Sequence, residues 1–76
     1  MSVPPDETEI RVLTNEQGTE RVLILRRPDG SYTYRHQWAD GRGWGTIGLA
    51  CGIYDSAFTA ENEARARVPW LHPVWH

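Results

Sequence analysis

The sequence predicts an α+β domain, a three- or four-stranded antiparallel meander packed against one C-terminal helix. Two alternating runs, Arg21–Arg27 and Ser31–Trp38, flank Pro28-Asp29-Gly30. In that tripeptide proline suits the first corner of a hairpin turn and glycine the left-handed position that follows. The apolar period then changes after Tyr54 from the two of a strand to the three and four of a helix, with Asp55 and Ser56 at the seam as capping residues.

In chain order, residues 1–7 read as a disordered lead-in. Glu9–Thr14 alternates weakly and is the optional fourth strand; a slip of one residue would move Ile10 and Val12 to the opposite face. Asn15–Gly18 is a turn, Arg21–Arg27 a strand centred on Val22-Leu23-Ile24-Leu25, and Ser31–Trp38 a second strand. Ala39–Gly45 is a glycine-rich loop, and Thr46–Tyr54 is expected as a third strand despite Gly48 and Gly52. The helix is expected over 56–68, within the span 55–68, with Pro69 ending it and a tail over 69–76. The sheet therefore occupies 8–54 of a single domain, 1–76.

A three-residue loop at Pro28–Gly30 sets a register in which Arg27 faces Ser31, Ile24 faces Tyr34 and Val22 faces His36. One face then carries Val22, Ile24, Tyr32, Tyr34, His36 and Trp38, and is the expected core. The other carries Leu23, Leu25, Thr33, Arg35 and Gln37. In Thr46–Tyr54, strand geometry would put Ile47, Leu49, Cys51 and Ile53 on one side. Along the helix, Ala57, Ala60, Ala64 and Val68 make a narrow small-residue face suited to close approach to a sheet, and Glu61–Arg65 and Glu63–Arg67 are favourable i,i+4 pairs.

Seventy-six residues can build only a thin core. Trp38, Trp44, Trp70 and Trp75 compensate for it if buried and offer contact area if exposed. The single cysteine excludes an intramolecular disulfide and favours a reducing, cytoplasmic setting. No secretory leader and no membrane-length apolar run is evident. A net charge of −2 argues against strong attraction to nucleic acid or anionic lipid. All eight basic residues are arginines, which excludes Schiff-base chemistry and a P-loop lysine.

The motifs give no catalytic constellation. Gly43-Trp-Gly-Thr-Ile-Gly48 matches a dinucleotide-binding string, yet a strand rather than a helix is expected after it. It reads as a flexible turn in which Gly45 and Gly48 make room for Trp44 or a neighbouring aromatic. Cys51 lies in an apolar alternation and is expected to be buried and structural, not paired with His36 as a nucleophile. His72 and His76 lack the further ligands of a zinc site. Asp6, Glu7 and Glu9 read as a solvated acidic patch. No cofactor, metal or catalytic residue is assigned, and no enzymatic activity is expected.

One helix covers one sheet face. The opposite face, with Leu23, Leu25, Arg35, Trp44 and Trp75, is the candidate interaction surface for a protein partner or a second copy of the chain. Trp70 and Leu71 are expected to fold back on the core edge. The alternative is a nucleic-acid-binding module. Gly52-Ile-Tyr-Asp-Ser56, followed by the Ala57–Ala64 helix, is similar to the three-strands-plus-helix modules of the integrase N-terminal type. That resemblance implies DNA binding through the exposed sheet face, with Arg21, Arg35 and Arg42 as the matching cations, although Glu20, Asp29 and Asp40 lie among them.

Overall fold

The computed structural model describes residues 4–71, so Trp75, His72 and His76 lie outside the described residues. Three strands, β1 (Thr8–Thr14), β2 (Glu20–Arg26) and β3 (Tyr32–Trp38), form one antiparallel sheet in the order β1-β2-β3, followed by one helix, α1 (Ala57–Arg67). The α+β class is as the sequence predicts. The membership of the sheet is not: the weakly patterned N-terminal segment is a full strand, and Thr46–Tyr54 is not a strand.

The central hairpin has the expected register, with Val22 opposite His36 and Ile24 opposite Tyr34. Arg27 N–H donates to the Ser31 carbonyl at 2.7 Å, closing the three-residue loop, and Gly30 takes the left-handed φ of 89° that the turn requires. Asp29 fixes the loop by accepting from the Ser31 amide and hydroxyl, which holds its carboxyl below the ordinary carboxylate range. In the first hairpin, Asn15 Oδ1 accepts from the amides of Thr19 and Glu20.

The ambiguity of β1 is resolved by a bulge. Glu9 pairs with Leu25 and Arg11 with Ile24, so Ile10 is the extra residue. Beyond it Leu13 sits opposite Val22 on the helix side and Val12 opposite Leu23 on the other. A bulge absorbs one residue of the alternation, which is why the pattern of Glu9–Thr14 looked weak.

Helix α1 begins where the capping residues indicate. The Ser56 hydroxyl accepts from the Thr59 amide at 3.1 Å, and the chain leaves the helix at Val68, whose N–H donates to the Ala64 carbonyl. Ala60 and Ala64 are fully buried against Val22, Ile24 and Tyr34, with Val68 and Leu71 completing the core and Trp70 packing beside it. The burial also raises the Tyr34 phenol above its ordinary range. Glu61 takes two partners, Arg65 at 2.8 Å within the helix and Arg11 of β1 at 3.1 Å, so one carboxylate ties the helix to the edge strand.

Residues 45–54 form a strap along the outer edge of β3. The amides of Gly45, Gly48, Cys51 and Tyr54 donate to the carbonyls of Trp38, His36, Tyr34 and Tyr32 at 2.7–2.9 Å. Every third strap residue therefore meets every second residue of β3. Three strap residues cover the roughly 6.8 Å that two strand residues span, so the strap is puckered rather than extended. Its carbonyls are taken by alternate β3 side chains: Thr33 Oγ1 to Gly52 at 2.7 Å, Arg35 Nη1 to Gly48 at 2.9 Å and Gln37 Nε2 to Gly45 at 2.6 Å. Thr33 and Gln37 are fully buried, and the strap accepts from the Thr33 hydroxyl and the Gln37 amide nitrogen.

The three-residue period overturns the expected face of this segment. Cys51 packs partly against the core beside Tyr34, while Leu49 and Ile53 point into solvent. Gly45 and Gly48 make room not for an aromatic ring but for backbone: a Cβ on Gly48 would lie 2.8 Å from the His36 carbonyl oxygen, and one on Gly45 3.2 Å from that of Trp38.

Candidate functional site

The sequence-derived interaction surface does not assemble as expected. Leu23 and Leu25 are 1% and 0% exposed, so they offer no apolar patch. On their side of the sheet stand Thr33 and Arg35, directly opposite Leu25 and Leu23, with their polar groups bound to the strap. Glu7, expected in a solvated patch, makes a two-bond pair with Arg35: Nε to Oε1 at 3.0 Å and Nη2 to Oε2 at 2.9 Å. Glu7 immediately precedes β1, whereas Arg35 belongs to β3, so this pair bridges the central strand on the Leu23–Leu25 side. The pairing raises the Arg35 guanidinium above its ordinary range.

Trp44 is half-buried on the same side. The Arg21 guanidinium lies 4.3 Å from its ring centroid, and Arg21 Nε donates to Gln37 Oε1 at 2.9 Å. Arg21 and Arg35, two of the three arginines that the integrase-type resemblance put forward, are thus committed to internal partners. Arg42 sits in the exposed loop, where its amide is held by Asp40.

A second polar cluster closes the opposite side at the Trp38 end of the sheet. Glu20 accepts from Trp38 Nε1 at 2.7 Å through one oxygen and from Trp70 Nε1 through the other. His36 stacks on Trp38 with centroids 4.2 Å apart, and its Nε2 lies 3.3 Å from Glu20 without a hydrogen bond. One carboxylate therefore pins the residues after the helix to the sheet, as expected of Trp70. The cluster holds no nucleophile.

An open groove between the end of β1 and the end of α1 is lined by Val12, Leu13, Thr14, Arg65, Trp70 and Leu71, among others, with no Ser, Cys or His in its walls. Among the described residues no group of three or more His, Cys, Asp or Glu could hold a metal, and no helix is long and apolar enough to cross a membrane.

Ile10 and Trp38, the latter on the expected core face, are exposed at the sheet, and the most exposed apolar side chains lie elsewhere. Leu49, Ile53 and Phe58 are 86%, 64% and 75% exposed, the first two on the strap and the third in the first turn of α1. Sequence reasoning missed Leu49 and Ile53 because it gave the strap a strand's alternation, and it did not single out Phe58 on the helix. The available signal was the three-residue spacing Gly45, Gly48, Cys51, Tyr54, which marks the positions facing β3 and leaves Leu49 and Ile53 off them. No protein-family model, no curated protein and no solved structure matches this chain.

Proposed function

We propose that this chain is a small non-enzymatic, protein-interaction or self-associating module, and that it meets its partner through the edge bearing Leu49, Ile53 and Phe58. The observation that carries the proposal is the exposure, between 64% and 86%, of three large apolar side chains within ten residues of sequence. Large apolar side chains left this exposed on so small a domain support an association surface when they form one patch. The lone cysteine supports a reducing, cytoplasmic location.

The nucleic-acid alternative draws less support. Affinity for DNA comes largely from neutralising several phosphates. Arg11, Arg35, Arg65 and Arg67 are each paired with a glutamate, and Arg21 is engaged by Gln37 and Trp44.

Sedimentation of the full chain from micromolar to millimolar concentration, beside the Leu49→Ser/Ile53→Ser/Phe58→Ser variant, tests the proposal. The parent chain is expected to associate, and the variant to remain monomeric with unchanged helix content. Association that survives the triple substitution, or a parent chain that stays monomeric while binding duplex DNA in a salt-sensitive manner, would refute it.

A further inference from the structure

The Glu7–Arg35 pair is built differently from the other ion pairs of the described chain. The side chains of Arg35 and Glu7 are only 15% and 7% exposed, less than those of the other ion pairs among the described residues. The arginine is oriented without help from the glutamate: Nη1 is fixed by the Gly48 carbonyl at 2.9 Å, which leaves Nε and Nη2 side by side as an open fork. A fork of this kind matches a carboxylate in plane and spacing. The glutamate, by contrast, is carried by residues outside the sheet. Pro4–Glu7 is a turn closed by one bond, from the Glu7 amide to the Pro4 carbonyl at 3.0 Å, and it precedes the first strand residue, Thr8.

The register fixes what lies beneath this segment. Thr8 pairs with Arg26 at one end of β2, and Arg35 stands opposite Leu23 further along it. The Glu7–Arg35 pair therefore spans the central strand on its Leu23–Leu25 side. Asp6 adds its field to that of Glu7 at the guanidinium. The segment thus combines an acidic pair with two prolines, Pro4 and Pro5, and reaches a preset arginine on the Leu23–Leu25 side of the sheet.

We infer that Arg35, with Leu23 and Leu25 beneath it, is a binding site for an extended, carboxylate-bearing peptide, and that Pro4–Glu7 is its intramolecular occupant. A tethered occupant competes at an effective concentration on the order of millimolar, so an outside peptide enters only when the tether is weakened or the peptide is abundant. Local opening of a segment outside the sheet costs less than global unfolding. A guanidinium this sheltered calls for a replacement carboxylate when the first one leaves. The inference rests on different side chains from Leu49, Ile53 and Phe58 and is tested independently of them.

The test uses the full chain carrying Glu7→Ala and, as probe, an acetylated and amidated peptide of residues 1–8, with the Arg35 Nε–H resonance followed by NMR. The variant is expected to bind the peptide at least about tenfold more tightly than the parent chain, whose own segment competes. A peptide with glutamine in place of Glu7 is expected to bind about tenfold more weakly than the acidic one. If Glu7→Ala does not fold, Glu7→Gln, which keeps the shape and loses the charge, is titrated in its place. Equal binding of the two peptides, no movement of the Arg35 resonance, or failure of both variants to fold would overturn the inference, the last because the segment would then be indispensable rather than displaceable.

Discussion

Arg35→Ala is expected to lower the stability of the domain by about 2 kcal/mol. The guanidinium makes three bonds that belong to two different parts of the chain, one to the strap at Gly48 and two to Glu7. Its loss leaves the Gly48 carbonyl without its side-chain donor and Glu7 without its cation. Breaking a buried pair commonly costs about 3–5 kcal/mol when the survivor stays buried. Here the survivor sits on a terminal turn and can swing into water, which reduces the penalty. Glu7→Gln keeps the strap bond and should cost less than half as much. For a domain of this size, with about 4–11 kcal/mol in total, the arginine variant loses a large share of the margin. Urea denaturation followed by the helix signal measures it: the midpoint should fall with the slope unchanged. A loss below about 0.5 kcal/mol, as for an exposed pair, would remove Arg35 from its place as the joint between strap and N-terminal segment.

Gly48→Ala should cost at least as much, about 2–3 kcal/mol, for a purely steric reason. The added Cβ would sit 2.8 Å from the His36 carbonyl oxygen, which is backbone in the middle of β3 and cannot turn aside. Relief requires the strap to move outward, which breaks the Gly48 amide bond to His36 and the Arg35 bond to the Gly48 carbonyl together. Gly45→Ala is the graded comparison, because its Cβ would meet the Trp38 carbonyl at 3.2 Å and a shift of a few tenths of an ångström suffices. The expected order of thermal midpoints is parent, Gly45→Ala, then Gly48→Ala. The reverse order would mean that the strap does not approach β3 most closely at Gly48.

The parts of the fold that could be read from the sequence are those where side-chain period and local turn chemistry agree. Pro28-Asp29-Gly30 sets the central register, and the seam at Asp55-Ser56 places the helix start to within a residue, with Thr59 as the alternative cap, because each rests on neighbours in the chain; the cap is Ser56. Val22–Leu25, four apolar residues in succession, already implied a strand buried on both faces, and all four are buried. A strand buried on both faces needs cover on both, so Leu23 and Leu25 cannot serve as an exposed patch.

What escaped the sequence depends on contacts remote in the chain. A bulge at Ile10 hides a strand by displacing its alternation. The Glu7–Arg35 pair joins residues 28 positions apart and has no local signature. The strap was missed because apolar alternation at Ile47, Leu49, Cys51 and Ile53 imitates a strand, while the glycine spacing that sets its real period was read as turn flexibility. The candidate surface moved with it, from the two leucines of the sheet to Leu49, Ile53 and Phe58.

Amide hydrogen exchange along residues 45–54 tests the strap most directly. The hydrogen bonds to β3 predict slow exchange at Gly45, Gly48, Cys51 and Tyr54 and fast exchange at the intervening Thr46, Ile47, Leu49, Ala50, Gly52 and Ile53. Protection at every second residue, as in a regular edge strand, or uniformly fast exchange across the segment, would contradict it.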